Sequence, residues 1–288
     1  MKRTLFILGA AGFIGCETVS AALEGGWRVI ALARSDEGAA RLRAAAARAI
    51  TGDVVRPGAR IDEARRATVL IDLVQPALAM RMSRSAMDAV ARERHAGTAG
   101  CLAARRGFAA AERPLLFSVS GIDDLHADGP GVVDHRSPLL ARPRGFGRIG
   151  IPVRRLIEGS GLDAAYLYLG LVYGPGAQFA DRYVGGLRAG KARVVGRGDN
   201  YLPLTHVEDA ARAIVHLAGQ PRDALAGRTF VVTDGGDTTQ GELLDYTAGV
   251  MGVRRPPASL RPWPRPRRRS GHGRNDRPRR PRRPRGPA

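Results

Sequence analysis

The stretch "TLFILGAAGFIG", residues 4–15, joins a short strand-forming run to three glycines spaced three apart, Gly9, Gly12 and Gly15. Residues 4–8 read as a buried strand and the pattern from residue 14 onward reads as a helix, so the glycines fall in the turn between them. Glycine there lets the chain turn tightly, lets backbone approach a pyrophosphate, and lets the helix pack close to the strand. The helix N-terminus then presents unpaired N–H groups to an anion. The spacing is GxxGxxG rather than GxGxxG; between strand and helix it predicts dinucleotide binding and a Rossmann-type fold. Lys2 and Arg3 before the run also look like the start of a signal peptide ending at Cys16. The run continues into a helical pattern rather than a cleavage site, so the strand–turn–helix reading is the expected one.

Working outward, "WRVIALA" (27–33), "TVLIDLV" (68–74), "PLLFSVS" (114–120) and "AAYLYLGLV" (164–172) read as further buried strands. Segments at helical period lie between them, at 14–25, 36–47 and 84–106. This alternation predicts an α/β fold, a doubly wound parallel sheet covered on both faces. Later come two helices, 207–219 and 239–252, around a strand, "RTFVVTD" (228–234). The expected organisation is a nucleotide-binding domain over 1–174 and a small, incomplete substrate lobe over 175–253, interleaved with the core. After Val253 an Arg- and Pro-rich tail, 254–288, lacks the composition to build a core and is expected to be disordered.

The net charge of +19 points to nucleic acid until it is located. Residues 254–288 hold 14 arginines against one acid, Asp276, and so carry +13 of it. The rest of the chain has the ordinary balance of a globular domain. The tail offers phosphate contacts but only Trp263 for stacking, a poor pattern for a single-strand binder. The whole chain has 44 Arg to 2 Lys, the usage of a GC-rich gene, and the tail also reads as an out-of-frame product of such a gene. The two cysteines, Cys16 and Cys101, form no CxxC pair, which argues against a disulfide framework or zinc site and fits a reducing, cytoplasmic setting. No apolar run reaches membrane-spanning length.

With "TGDV" (51–54), "LIDLVQP" (70–76), "GTAGCLAA" (97–104), "LVYGPG" (171–176) and "PLTHVEDAARAI" (203–214) following the glycine turn in order, the chain resembles the extended short-chain dehydrogenase/reductases. The branch in question is that of NAD-dependent epimerases and dehydratases, and the resemblance covers residues 4–253. It implies that Gly9, Gly12, Phe13, Ile14 and Gly15 form the pyrophosphate turn, that Asp53 sits near the adenine, and that Leu73 and Val74 line the groove after the fourth strand. Asp53 reads equally well as a simple turn residue. Where an NAD-preferring relative has an acid after the second strand, this chain has Arg34 and Ser35. Arg34 suits a 2′-phosphate, so NADP is expected ahead of NAD, although Asp36 lies within reach of the ribose.

The resemblance also implies a Ser or Thr after the fifth strand and a YxxxK pair, in which lysine lowers the pKa of the tyrosine phenol. Family members read roughly "PYGRSK" where this chain reads "GFGRIG" (145–150), placing Phe146 at the tyrosine and Gly150 at the lysine. Phenylalanine keeps the ring without a titratable atom, and glycine removes the cation. Ser120 is the surviving hydroxyl; it reads either as the group orienting a substrate oxygen or as one satisfying backbone at a strand end. Asp123, Asp124 and His126 follow the serine segment and could overhang the nicotinamide in place of the missing acid, but they and His135 are expected to be solvated loop residues, and His206 a helix-start residue. Two functions follow. One is an NAD(P)-dependent oxidoreductase or epimerase/dehydratase relative acting on a sugar nucleotide, ketone or aldehyde. The other is an NAD(P)-binding sensor without turnover. Helices 84–106 and 149–159 leave a homodimer open; no metal site is expected.

Overall fold

The computed structural model describes residues 3–54, 58–75, 83–126, 132–175 and 183–258. In chain order the elements are β1 (Thr4–Leu8), α1 (Phe13–Glu24), β2 (Arg28–Ala33), α2 (Asp36–Ala44), β3 (Arg48–Thr51), β4 (Val69–Asp72), α3 (Arg84–Gly107), β5 (Leu115–Gly121) and α4 (Gly147–Glu158). They continue as β6 (Ala164–Leu169), β7 (Leu171–Tyr173), β8 (Leu204–His206), α5 (Val207–Ala218), β9 (Thr229–Val232) and α6 (Gln240–Met251). Seven strands form one parallel sheet in the order β3-β2-β1-β4-β5-β6-β9. The order reverses between β1 and β4, which opens a crevice at the C-terminal ends of the strands.

Alternation along β1 explains why helices cover both faces. Leu5 and Ile7 pack with Val19 and Ala22 of α1 and Ile214 of α5. Phe6 and Leu8 pack on the other face with Leu102 of α3 and Val153 and Ile157 of α4. These four β1 side chains are fully buried, as a strand in the middle of a two-sided sheet requires. The run that resembles a signal peptide thus supplies the central strand and first helix of the core, as the strand–turn–helix reading expects. Among the described residues no helix is long and apolar enough to cross a membrane.

The structure departs from the sequence reading in three places. β3, whose buried residue Ile50 sits between Arg48 and Thr51, escapes a search for apolar runs. The run 164–172 is not one strand: it breaks at Gly170, where a Cβ would collide with the Pro203 carbonyl, and β7 pairs with β8 in a separate two-stranded sheet. The tail also does not begin at 254. Val194 N–H donates to the Pro257 carbonyl at 3.1 Å, Ala258 forms a bridge with Val194, and Pro256 is buried. Residues 254–258 therefore pack on the chain, because Pro–Pro needs only an acceptor carbonyl to join a strand edge. The remainder of the Arg/Pro segment lies outside the described residues. Residues beyond 175 contribute to the main layer as well: α5 packs on α1 and β9 is the seventh strand. A smaller cluster of Leu187, Val194, Leu244 and Ala248 lies apart from the two main cores.

Candidate cofactor cleft and active site

The glycine turn is shaped by contacts that only glycine permits. Gly9 adopts φ +75°, and a Cβ there would stand 2.6 Å from the Leu73 carbonyl oxygen. Gly15 is buried, and a Cβ on it would overlap the carbonyl oxygens of Gly9 and Ala10. Gly12 N–H donates to the Gly9 carbonyl at 3.0 Å and closes the turn. Gly12 then caps α1 without a side chain, and the first turn of α1 carries no acid. The helix therefore starts with open N–H groups and an uncompensated positive dipole end. This cradle fits a dinucleotide pyrophosphate.

A cavity of about 1310 Å³ runs along the crevice from this turn. Gly9, Gly12, Phe13, Ile14, Gly15, Arg34, Ser35, Asp53, Leu73, Val74 and Ser120 all border it, so the structure brings the sequence-selected residues to one place. At the end of β2 the cavity meets Arg34, Ser35 and Arg41. Ser35 has a second duty, since its hydroxyl accepts from Gly38 N–H at 3.1 Å and caps α2. Asp36 is not among the residues lining the cavity, and its carboxylate accepts from the Thr51 hydroxyl at 3.2 Å.

Beneath Leu73 and Val74 lies a buried ion pair that the sequence reading did not single out. Arg94 of α3 donates to Asp72 Oδ2 at 2.6 Å and to Thr98 Oγ1 at 3.1 Å, while Asp72 Oδ1 accepts from Val74 N–H at 3.2 Å. Both side chains are almost wholly buried, at 5% and 2% exposure. The pair fastens the loop after β4 to α3. An acid ending an apolar strand, with an arginine on the following helix, was the available signal.

The far end of the cavity lies between β5 and α4. Phe146 and Gly150 border it, as do Ser120 and Asp124. Asp124 is not the solvated loop residue that its sequence setting suggests. It is 1% exposed, and the Ser120 hydroxyl donates to its Oδ2 at 2.6 Å. A Cβ added at Gly150 would overlap Asp124 Oδ2 and Ser120 Oγ, so the carboxylate occupies the space a side chain at 150 would need. Burial pushes the Asp124 carboxyl up to about 7; the Ser120 hydrogen bond opposes that shift and the Asp123 charge adds to it. Tyr168 of β6 also borders the cavity, and burial lifts its phenol to about 12. Arg154 of α4 donates to the Tyr168 oxygen at 3.4 Å and to Thr229 Oγ1 at 3.2 Å, and its guanidinium lies 3.2 Å from the Tyr166 ring centroid. His126 and His135 are exposed, as expected of loop residues. His206 caps α5 through its backbone, and its ring meets the Tyr173 ring edge-on at 5.2 Å.

Comparison with known proteins agrees with this geometry. A family model described as "NAD dependent epimerase/dehydratase family" matches residues 5–129 and 151–233. The gap between the matched segments holds Phe146 and Gly150. A "3-diazoavenalumate denitrifying reductase" from Streptomyces sp. is 29% identical over 269 residues, 90% of this chain and 86% of that protein. The Bacillus cereus UDP-glucuronic acid 4-epimerase, solved with UDP-glucuronic acid and NAD, superposes with a TM-score of 0.74 at 14% identity, covering 90% of this chain and 86% of that one. The human epimerase family protein SDR39U1, solved with NADPH, gives 0.68 at 17% identity, covering 88% and 82%. The two solved structures establish the shared fold.

Proposed function

The chain belongs to the NAD-dependent epimerase/dehydratase family, and we propose that it is an NADP-dependent reductase whose site works without the tyrosine and lysine of its relatives. The pyrophosphate would lie on the backbone of Gly12 to Gly15 and the N-terminus of α1. Arg34 and Arg41 would meet the 2′-phosphate, Asp53 the adenine side, and Leu73 and Val74 the groove leading to the nicotinamide. When bound, the reduced cofactor supplies the hydride. Ser120, at the nicotinamide end, would orient the substrate atom that gains electron density.

The observation that carries this reading is the continuity of one cavity from the glycine turn to Ser120 and Asp124. Arg34 and Arg41 line the cavity at the β2 end while Asp36 and Glu37 do not, which supports NADP over NAD. The reductase named among the relatives supports reduction over epimerisation. Beyond the catalytic end the cavity is walled by Leu169, Leu171, Val172, Leu202 and Leu244, with Arg193 at its edge. Such a wall favours a largely apolar carbonyl compound, an aldehyde or ketone carrying an anionic group, over a sugar nucleotide.

Phe146 and Gly150 favour a second reading, a nucleotide-binding sensor without turnover. Fluorescence titration with NADPH and NADH, followed by NADPH oxidation assays on aldehydes, ketones and nucleotide sugars, separates the two. Tighter NADPH binding and turnover of an apolar carbonyl compound is the expected result. Saturable binding with no turnover across the panel would favour the sensor. Failure of both nucleotides to bind would overturn both readings.

A further inference from the structure

Phe146 and Gly150 carry no titratable group, yet one protonatable side chain occupies the space beside Gly150. Asp124 sits on the short 3-10 turn Ile122–Asp124 after β5 and is held against α4 where Gly147 and Gly150 have no side chains. A Cβ built on Gly147 would lie 3.6 Å from Asp124 Oδ1, and one built on Gly150 would overlap Oδ2. Glycine at 150 is therefore what admits the carboxyl. Its charged and titratable surroundings are few. Asp123 on the same turn repels it, and Tyr168 on β6 keeps its own proton. Arg154 on α4 is engaged by Glu158, Tyr168 and Thr229. Among the described residues no cation pairs with Asp124, and its side-chain carboxyl is hydrogen-bonded to Ser120.

We propose that Asp124 and Ser120 together are the proton source of this site, Asp124 holding the proton and Ser120 passing it into the cavity. The inference rests on the reductase reading. Reduction of a carbonyl adds a hydride to carbon, supplied by the reduced nicotinamide, and a proton to oxygen. That proton leaves Ser120 Oγ: its O–H bond breaks as the substrate O–H bond forms. The O–H bond of the Asp124 carboxylic acid breaks in turn and restores the Ser120 hydroxyl. Water then reprotonates the Asp124 carboxylate, so each turnover consumes one solvent proton. The 2.6 Å oxygen–oxygen separation serves with either partner as donor. With the acid donating to Ser120, the serine O–H is free to point into the cavity. Asp124 acts through Ser120 rather than on substrate, which explains how so buried a group takes part.

The test begins on the full chain without nucleotide, so its failure is distinct from failure of the reductase reading. Infrared difference spectra across pH 5–9 should show a carboxylic acid band titrating near neutrality. Asp124→Asn should abolish it, and Asp123→Asn, which removes the repelling charge, should move the titration to lower pH. Ser120→Ala, which removes the bond favouring the carboxylate, should move it higher. Should Asp124→Asn fail to fold, these two opposite shifts still identify the group. In turnover, the wild type should lose about tenfold in kcat/KM per pH unit above its titration. Asp124→Asn should fall roughly 10²–10⁴-fold and lose that slope. Absence of a band titrating near neutrality, or an Asp124→Asn enzyme keeping the wild-type pH profile, would overturn the proposal.

Discussion

The two ends of the cavity are built on opposite principles. At the glycine turn, backbone meets backbone: Gly9 lies under the Leu73 carbonyl, Gly15 packs against Gly9 and Ala10, and α1 opens without a capping side chain. At the far end, side chains from β5 and the following turn fill a space left empty by α4, with Asp124 lodged against Gly150 and bonded to Ser120. Glycine serves both ends, once to let a ligand approach and once to let a neighbouring carboxyl in. A backbone-made site tolerates little change, whereas a side-chain-made site can be refilled from another element. The contrast predicts that the two ends fail separately, except where they share a support.

That shared support is the Asp72–Arg94 pair under Leu73 and Val74, so its loss should be the most damaging change. Arg94→Ala leaves the Asp72 carboxylate buried and unpaired, which should cost about 3–5 kcal/mol in chemical denaturation and weaken both ends together. A loss under 1 kcal/mol would mean the ends do not depend on this seam. The next largest effect is a pH dependence confined to the far end. The folded pKa of Asp124, about 7, lies above the unfolded carboxyl value of about 3.9. The folded state therefore binds the extra proton, and stability falls as pH rises from about 4 through 7, by on the order of 3–4 kcal/mol. Asp124→Asn should flatten that decline and be the more stable protein at pH 8.

Gly9→Val probes the other end. It forces a β-branched residue to φ +75° against the Leu73 carbonyl, which should cost roughly 2–3 kcal/mol and abolish NADPH binding. The neutral-pH carboxyl titration should survive in this variant, and its disappearance would show that the ends are coupled. Arg34→Ala should weaken NADPH about 10- to 100-fold and leave NADH nearly unchanged, as loss of a charge-assisted bond to a 2′-phosphate implies. Smallest is Ser35→Ala, which removes the α2 cap and should cost about 1 kcal/mol.

The same contrast explains what could be read from the sequence. The glycine turn and the strands feeding it are local features, and β1 lies where "TLFIL" places it. All the residues selected for the cofactor line one cavity, because they follow the C-terminal ends of β1 to β4, which the parallel sheet sets side by side. Asp124 was weighed as a replacement acid but read as a solvated loop residue, because an Asp–Asp pair after a strand ordinarily faces water. What buries it is the missing side chain at Gly150, 26 residues later and on another element. Arg94 escaped for a similar reason, since its partner sits on β4. β3 and the break at Gly170 were missed because a four-residue strand has too short a period to register, and a Gly inside an apolar run looks like a strand residue.

The fit of Asp124 against Gly150 also fixes the order in which this site can be rewritten. A lysine installed at 150 alone would meet the Asp124 carboxylate and the Ser120 hydroxyl within its own first carbon. Asp124 must first become a smaller residue, and that intermediate has neither the carboxyl nor the amine. Each change is then unfavourable alone and tolerable only with the other, so the two positions are epistatic in sign. The carboxyl beside Gly150 therefore acts as a steric lock: a lysine at 150 is reached only by changing both positions, not by single tolerated steps.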